Sequence, residues 1–215
     1  MESTDNSIVE FSSAEGEGEE QQTADLDLDL DIVLSKVAND HPATRELLLL
    51  PSRTKFSRKI FDVAPKHVPD HLTVTTLAGP NLISPSCGPY VITNDEVGKV
   101  LTFYHLGRRL SGHNGIVHGG LVGVLLDECM GRACFPLFQA KIGVTVKLEI
   151  CYQAPIPIDS MVLVNAETTD VQGRKAWVKA TVEDVTPGRP SKILSRATAM
   201  FVEPRWASEM SQVIR

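Results

Sequence analysis

Period-two alternation of apolar and polar residues dominates the second half of the chain. Over residues 142–150, Ile142, Val144, Val146, Leu148 and Ile150 face one way, and Thr145, Lys147 and Glu149 the other. Two further runs, 160–170 and 174–185, flank Gln172-Gly173, which reads as a hairpin turn. Residues 192–202 add a fourth strand, with Ala197, Ala199 and Phe201 on one face. Upstream, KVLTFYHL (99–106) predicts a strand, and so does LTVTTLA (72–78), which stops at Gly79-Pro80. Residues 79–95 hold five Gly and Pro residues and predict a long loop.

One segment breaks this pattern. GLVGVLLDECMGRACF (120–135) carries Leu121, Val122, Val124, Leu125, Leu126, Cys129, Met130, Ala133 and Phe135, leaving no wide polar stripe. A helix apolar nearly all round is buried nearly all round. Strands, one buried helix, then about four antiparallel strands predict an α+β body in which the sheet curls around the helix.

The first 35 residues have a different character. They contain eleven of the chain's 27 acids and no Lys or Arg, which leaves 16 acids against all 21 bases in residues 36–215. Residues 1–35, DLDLDLD (25–31) included, are expected to be a disordered acidic tail. Residues 36–71 read as a short helix (ATRELLLL, stopped before Pro51) and a basic linker. The folded domain is expected over 72–205, with a C-terminal tail at 206–215. The mildly basic body suits an anionic small molecule, and the acidic tail would repel nucleic acid.

No apolar run approaches the roughly 18 residues of a membrane span. The acidic start resembles neither a secretory signal nor a mitochondrial presequence, so the cytoplasm is expected, with mitochondria as the alternative. Cys87, Cys129, Cys134 and Cys151 form no CxxC pair and read as free thiols in a reducing compartment. No HEXXH grouping and no GxSxG elbow is present, so neither a metal nor a serine nucleophile is expected.

His118-Gly119-Gly120 opening a buried helix, Asp127 nine residues after that His, and the strand VTVKLEICYQAPIP together resemble the hotdog-fold thioesterases. The likeness is to the acyl-CoA thioesterase branch that includes the 4-hydroxybenzoyl-CoA and phenylacetate-pathway enzymes, and covers about residues 72–203. It implies a sheet wrapped around one long helix, homodimers or dimers of dimers, an acyl-CoA substrate and no bound cofactor. Members commonly carry an amide side chain six residues before the His. Here that position is Gly112, and Asn114 is the nearest amide.

The residues themselves support such chemistry. Glycines at a helix start let backbone approach a ligand and leave N–H groups open where the helix dipole favours an oxyanion. The Gly119 amide could therefore hold a thioester oxygen as it turns negative. Asp127, set among Leu125, Leu126, Cys129 and Met130, could act as base or nucleophile, or be a satisfied buried acid. His118 could touch substrate or cap the helix. Glu128 and Arg132, at i and i+4, are expected to form a structural salt bridge. Asn114, Gly120 and Thr145 are candidate substrate contacts, and the resemblance adds Arg174 and Lys175 as contacts to CoA phosphates.

His118 and Asp127 would lie about 13.5 Å apart along a helix and on opposite sides of it. Two chains per active site are therefore expected. The rival functions are a non-catalytic acyl-CoA sensor or scaffold, release of an acyl group from a carrier protein, and a hotdog hydratase.

Overall fold

Alternation builds the sheet, and burial of both its faces decides how it is covered. The computed structural model describes residues 14–84 and 88–210, with side chains from residue 27 onward. Helices α1 (Ala14–Asp40) and α2 (Pro42–Leu48) come first. Strands β1 (Thr54–Ser57), β2 (Ile83–Ser84), β3 (Tyr90–Asn94) and β4 (Lys99–Leu106) follow, then a small hairpin of β5 (Ser111–His113) and β6 (Ile116–Val117). Helix α3 (Gly119–Cys134) leads into β7 (Val144–Tyr152), β8 (Ser160–Gln172), β9 (Lys175–Asp184) and β10 (Lys192–Val202). All but β5 and β6 join one antiparallel sheet, ordered β1-β3-β4-β8-β9-β10-β7, with β2 paired to β4 off that path. The β8–β9 hairpin turns at Gly173-Arg174, where Gly173 has φ 59°, a left-handed conformation that suits glycine.

The sheet folds over α3. Val100, Tyr104 and Leu106 of β4, Val162, Val164 and Ala166 of β8, and Ala197, Ala199 and Phe201 of β10 share one core with Leu121, Leu125, Cys129 and Met130 of the helix. The other face is also covered. Leu101 and Phe103 of β4, with Met161 and Leu163 of β8, pack on Leu34, Ala38 and Leu47 of α1 and α2. Alternate residues of β4 thus serve two cores, which explains why 99–106 is apolar almost throughout.

The loop expected over residues 79–95 contains the strands β2 and β3, both paired with β4, and three further expectations differ from the structure. Helix α1 occupies residues where a disordered tail was expected, from Ala14 onward; residues 1–13 lie outside the described residues. Leu30, Leu34, Val37 and Ala38 fall at i, i+4, i+7 and i+8, a helical stripe that overrides the local Asp-Leu alternation. Arg58 fastens this helix, with one guanidinium nitrogen 2.7 Å from Asp31 and 3.0 Å from the Ser35 hydroxyl, and its plane over Tyr90. The basic linker contributes β1, which pairs with β3, so the packed body extends upstream of residue 72.

Second, LTVTTLA is not a strand. Leu72–Thr76 form a π-helical turn in which Leu77 N–H donates to the Leu72 carbonyl. Its β-branched residues fit a pleated surface only where a strand edge is available, and this segment lies instead over α3, Thr73 reaching Glu128. Third, the C-terminal tail begins with a short 3-10 turn, Ala207–Glu209, in which Ala207 is buried. Residues 211–215 lie outside the described residues.

The four cysteines also divide. Cys129 and Cys134 are free and buried, and burial pushes the Cys129 thiol up to about 12. Cys151 is free but exposed on β7, and Cys87 lies outside the described residues.

Candidate active site

The first turn of α3 is built by its own sequence. His118 is the N-cap residue, and its Nδ1 accepts a hydrogen bond from the Gly120 N–H at 2.9 Å. That bond commits the Gly120 amide, so Gly120 does not offer its N–H to a substrate. The neighbouring Gly119 N–H has no partner among the described residues. Tyr152 of β7 donates its hydroxyl to the Gly119 carbonyl at 2.7 Å, which holds the strand against the helix end. A groove of about 360 Å³ opens here, lined by His113, Val117, Gly119, Val122, Tyr152 and Pro155. Asn114 is exposed in the β5–β6 turn at the same end of the molecule.

Two turns further on, Thr145 of β7 donates its hydroxyl to the Asp127 carboxylate at 2.7 Å. Gly119 and Asp127 therefore both lie against β7, opposite Tyr152 and Thr145 respectively. Eight residues apart, they are separated by about 80° around the axis and about 12 Å along it. Asp127 and the Gly119 amide share a helix face. Only the distance along the axis keeps them from one small group.

Glu128 departs from expectation. It does not pair with Arg132, whose guanidinium lies 2.7 Å from Asp95 and 3.4 Å from the Thr93 hydroxyl. The Glu128 carboxyl instead accepts a 2.8 Å hydrogen bond from Thr73. One helical residue turns the side chain by about 100°, enough to send it from the β7 side toward the segment covering α3. Sequence spacing picks out an i, i+4 partner on an isolated helix, but the buried Arg132 takes its partners from β3 and the turn that follows it.

Burial pushes the Glu128 carboxyl up to about 7, against the Thr73 hydrogen bond, with the Asp127 charge adding to the rise. The folded protein then holds this proton more tightly than the unfolded chain. The stabilising effect is full below the ordinary value of 4.5, declines as pH rises to about 7, and is absent above. The total is on the order of 3 kcal/mol. Glu128→Gln should flatten this decline when unfolding midpoints in urea are followed from pH 4 to pH 8. An unchanged slope would mean that the carboxyl is solvated.

Arg174 and Lys175 lie elsewhere. The Arg174 guanidinium donates to the Glu203 carbonyl at 2.9 Å, and the Glu203 carboxylate accepts from the Ala140 N–H at 2.6 Å. This places the β8–β9 turn near the C-terminal end of α3, away from Gly119. Within one chain, then, His118, Gly119, Gly120 and Asn114 gather at one end, and Asp127 with Thr145 in the middle. Arg174 and Lys175 stand beyond them. Tyr152 belongs to the strand motif that carries the resemblance, whereas its contact to the helix start depends on how β7 crosses α3.

The chain is similar in sequence to known proteins. A family model described as the thioesterase superfamily matches residues 114–191, from the β5–β6 turn to the residue before β10. An uncharacterised protein of Schizosaccharomyces pombe is 35% identical over 118 residues, which cover 55% of this chain and 67% of that protein. The chain belongs to the thioesterase superfamily. Its antiparallel sheet around one buried helix is the hotdog fold. A protein of Candida albicans named "Uncharacterized protein, mitochondrial" is 30% identical over 143 residues, 66% of this chain and 63% of that protein. Acyl-coenzyme A thioesterase THEM4 of Mus musculus is 29% identical over 115 residues, 53% of this chain and 47% of the mouse protein. This chain thus spans less than two thirds of the Candida protein and about half of the mouse thioesterase. Among solved structures, thioesterase superfamily member 2 of Mus musculus aligns with a TM-score of 0.44 at 20% identity. That alignment covers 49% of this chain and 75% of the mouse chain.

Proposed function

We propose that this protein hydrolyses acyl thioesters, with acyl-CoA as its substrate class. The observation that carries this is Asp127, held by Thr145 on the same helix face as the open Gly119 amide. The mouse relative named as an acyl-coenzyme A thioesterase supports the substrate class. In the reaction, the Gly119 N–H and the helix dipole hold the carbonyl oxygen as negative charge develops on it. Asp127 either takes a proton from an attacking water or attacks the carbonyl carbon itself. Both routes break the C–S bond, release CoA as its thiol, and leave the acyl group as a free acid once water has added. His118 acts by capping the helix and so presenting the Gly119 amide.

The site is completed by a second chain. About 12 Å separates Gly119 from Asp127 along the helix, too far for one carbonyl to meet both. Among the described residues, β7 pairs only with β10, so its outer edge is free, and Val146 and Tyr152 are exposed on it. Two such edges paired antiparallel about a two-fold axis between Leu148 and Glu149 would set Tyr152 opposite the partner's β7 near its position 145. Gly119 of one protomer would then face the acid of the other. An isologous pairing of this kind also covers an otherwise open strand edge.

Lys175 is proposed as a contact to the CoA phosphates, whereas the Arg174 guanidinium is already bonded to the Glu203 carbonyl. Lys175→Ala should raise KM for acyl-CoA by roughly fivefold, fading at high salt, because exposed charge contacts are weak and screened. Thioesters of pantetheine, which lack the nucleotide, should be unaffected. Equal changes in both would remove Lys175 from the site. For location, the name of the Candida relative supports the mitochondrial alternative over the cytoplasmic expectation.

Colorimetric detection of free thiol across an acyl-CoA panel tests the activity. A thioesterase releases thiol, a sensor binds without release, and a hydratase consumes an enoyl-CoA with its thioester intact.

A further inference from the structure

The proposed mechanism uses one face of α3 and leaves another facing a cavity. Residues 58–61 and 71–78 pass over the helix and enclose, against β2 and β4, a space of about 220 Å³. This is room for about seven groups the size of a water or a methylene. Ile60, Phe61, Val74 and Ile83 make its walls largely apolar. Of the polar groups on its lining, Arg58 is bonded to Asp31 and Ser35, exposed Lys59 marks the solvent side, and the Tyr104 hydroxyl meets Cys129 Sγ at 3.4 Å. Thr73 and His71 remain, and with them Glu128.

Glu128 is the unusual member. A carboxyl group in an apolar cavity is costly unless it is hydrogen-bonded. Here one oxygen accepts from Thr73, and no second partner is present among the described residues. A carboxyl can serve up to about four hydrogen bonds, so most of this capacity is unused. Its position is also specific. Glu128 directly follows Asp127, with Cα atoms about 3.8 Å apart, and the two carboxyls are close enough for the charge of one to act on the other. Asp127 itself is not on the cavity lining, its carboxylate being turned to Thr145 of β7. An acyl chain whose carbonyl is held against Asp127 would therefore enter the cavity by passing around the helix surface at Glu128, the adjacent residue on its wall.

We propose that the cavity receives the acyl chain and that Glu128 is a specificity-determining residue selecting acyl groups with a hydroxyl a few bonds from the thioester carbonyl. This rests on the thioesterase function proposed above. A hydroxyl both donates and accepts, so it pairs with Glu128 whether that group is protonated or ionised. An ammonium would pair only with the ionised form, and a carboxylate only with the protonated one. A plain hydrocarbon chain would cover the carboxyl and satisfy nothing. Sites built to bond a hydroxyl discriminate against the chain that lacks it for this reason.

The test compares 3-hydroxyoctanoyl-CoA, octanoyl-CoA and 8-hydroxyoctanoyl-CoA on the full chain. The wild type should prefer the 3-hydroxy ester over octanoyl-CoA by about tenfold in kcat/KM. The 8-hydroxy ester, its polar end sent to the apolar wall, should be the poorest. Glu128→Leu should bring the ratio of the first two close to one, and Glu128→Gln, which still offers hydrogen bonds, should keep part of it. Equal use of the first two esters by the wild type, or a ratio that Glu128→Leu leaves unchanged, overturns the proposal. Calorimetry with non-hydrolysable thioether analogues of the same pair separates this from the parent function. Tighter binding of the hydroxylated analogue without hydrolysis of any ester would leave the cavity assignment standing and remove the thioesterase one. Hydrolysis with no hydroxyl preference in either assay would do the reverse.

Discussion

Asp127→Asn is expected to lower acyl-CoA turnover by about 10²–10⁴-fold, the range for loss of a positioned base. The thermal midpoint should stay nearly unchanged. The substitution keeps the size of the side chain and an oxygen that can accept from Thr145 Oγ1, now 2.7 Å away. What it removes is the charge. An amide neither takes a proton from water at neutral pH nor attacks a thioester. Thr145→Val, which leaves the acid but frees it to turn, should produce a smaller loss, since the hydroxyl orients Asp127 without reacting. Full activity in Asp127→Asn would assign this acid to structure.

A large effect on stability is expected from the other end of α3. Arg132 is only 8% exposed, and its guanidinium lies 2.7 Å from Asp95, itself 2.8 Å from Lys55 Nζ. Burial pushes the Asp95 carboxyl up, but Arg132 and Lys55 outweigh it and hold the group below its ordinary value. Removing one partner of a buried pair costs roughly 3–5 kcal/mol, because the other charge is left unpaired. Lys55 still serves Asp95, so Arg132→Met is expected at the lower end, about 3 kcal/mol, or about 6–12 °C in melting temperature. The double variant Arg132→Met/Asp95→Leu should recover much of the loss. A single variant that melts with the wild type would mean that the pair is solvated.

The fold was legible where one physical signal dominated. Period two in 142–202 and the all-round apolar character of 120–135 are enough to predict a sheet around a helix. Residues 25–38 were not legible. The Asp-Leu alternation and dense negative charge masked a helical stripe of Leu30, Leu34, Val37 and Ala38, which becomes stable only because the sheet offers Leu101, Phe103 and Leu163 to cover. The continuous apolar run of β4 was the sequence-level sign that both sheet faces are covered. For the site, His118, Gly119 and Asp127 stand out because glycines at a helix start and an acid among apolar residues are each unusual. The partners of Glu128 and Arg132 did not, since Thr73 and Asp95 are 55 and 37 residues away along the chain and meet them only through the fold.

Mixing two inactive variants tests directly whether the Gly119 amide of one chain and Asp127 of another act on one thioester. One chain carries Asp127→Asn and the other Gly119→Pro. Proline removes the amide at the first helical position, where it is best tolerated, and a Cβ there would meet only ordinary contacts with Tyr152, the nearest at 3.6 Å. Each variant alone should be nearly inactive. After subunit exchange, half the dimers are mixed and each holds one intact site, so about one quarter of wild-type thiol release should return. No return of activity after verified exchange would contradict a site shared between chains.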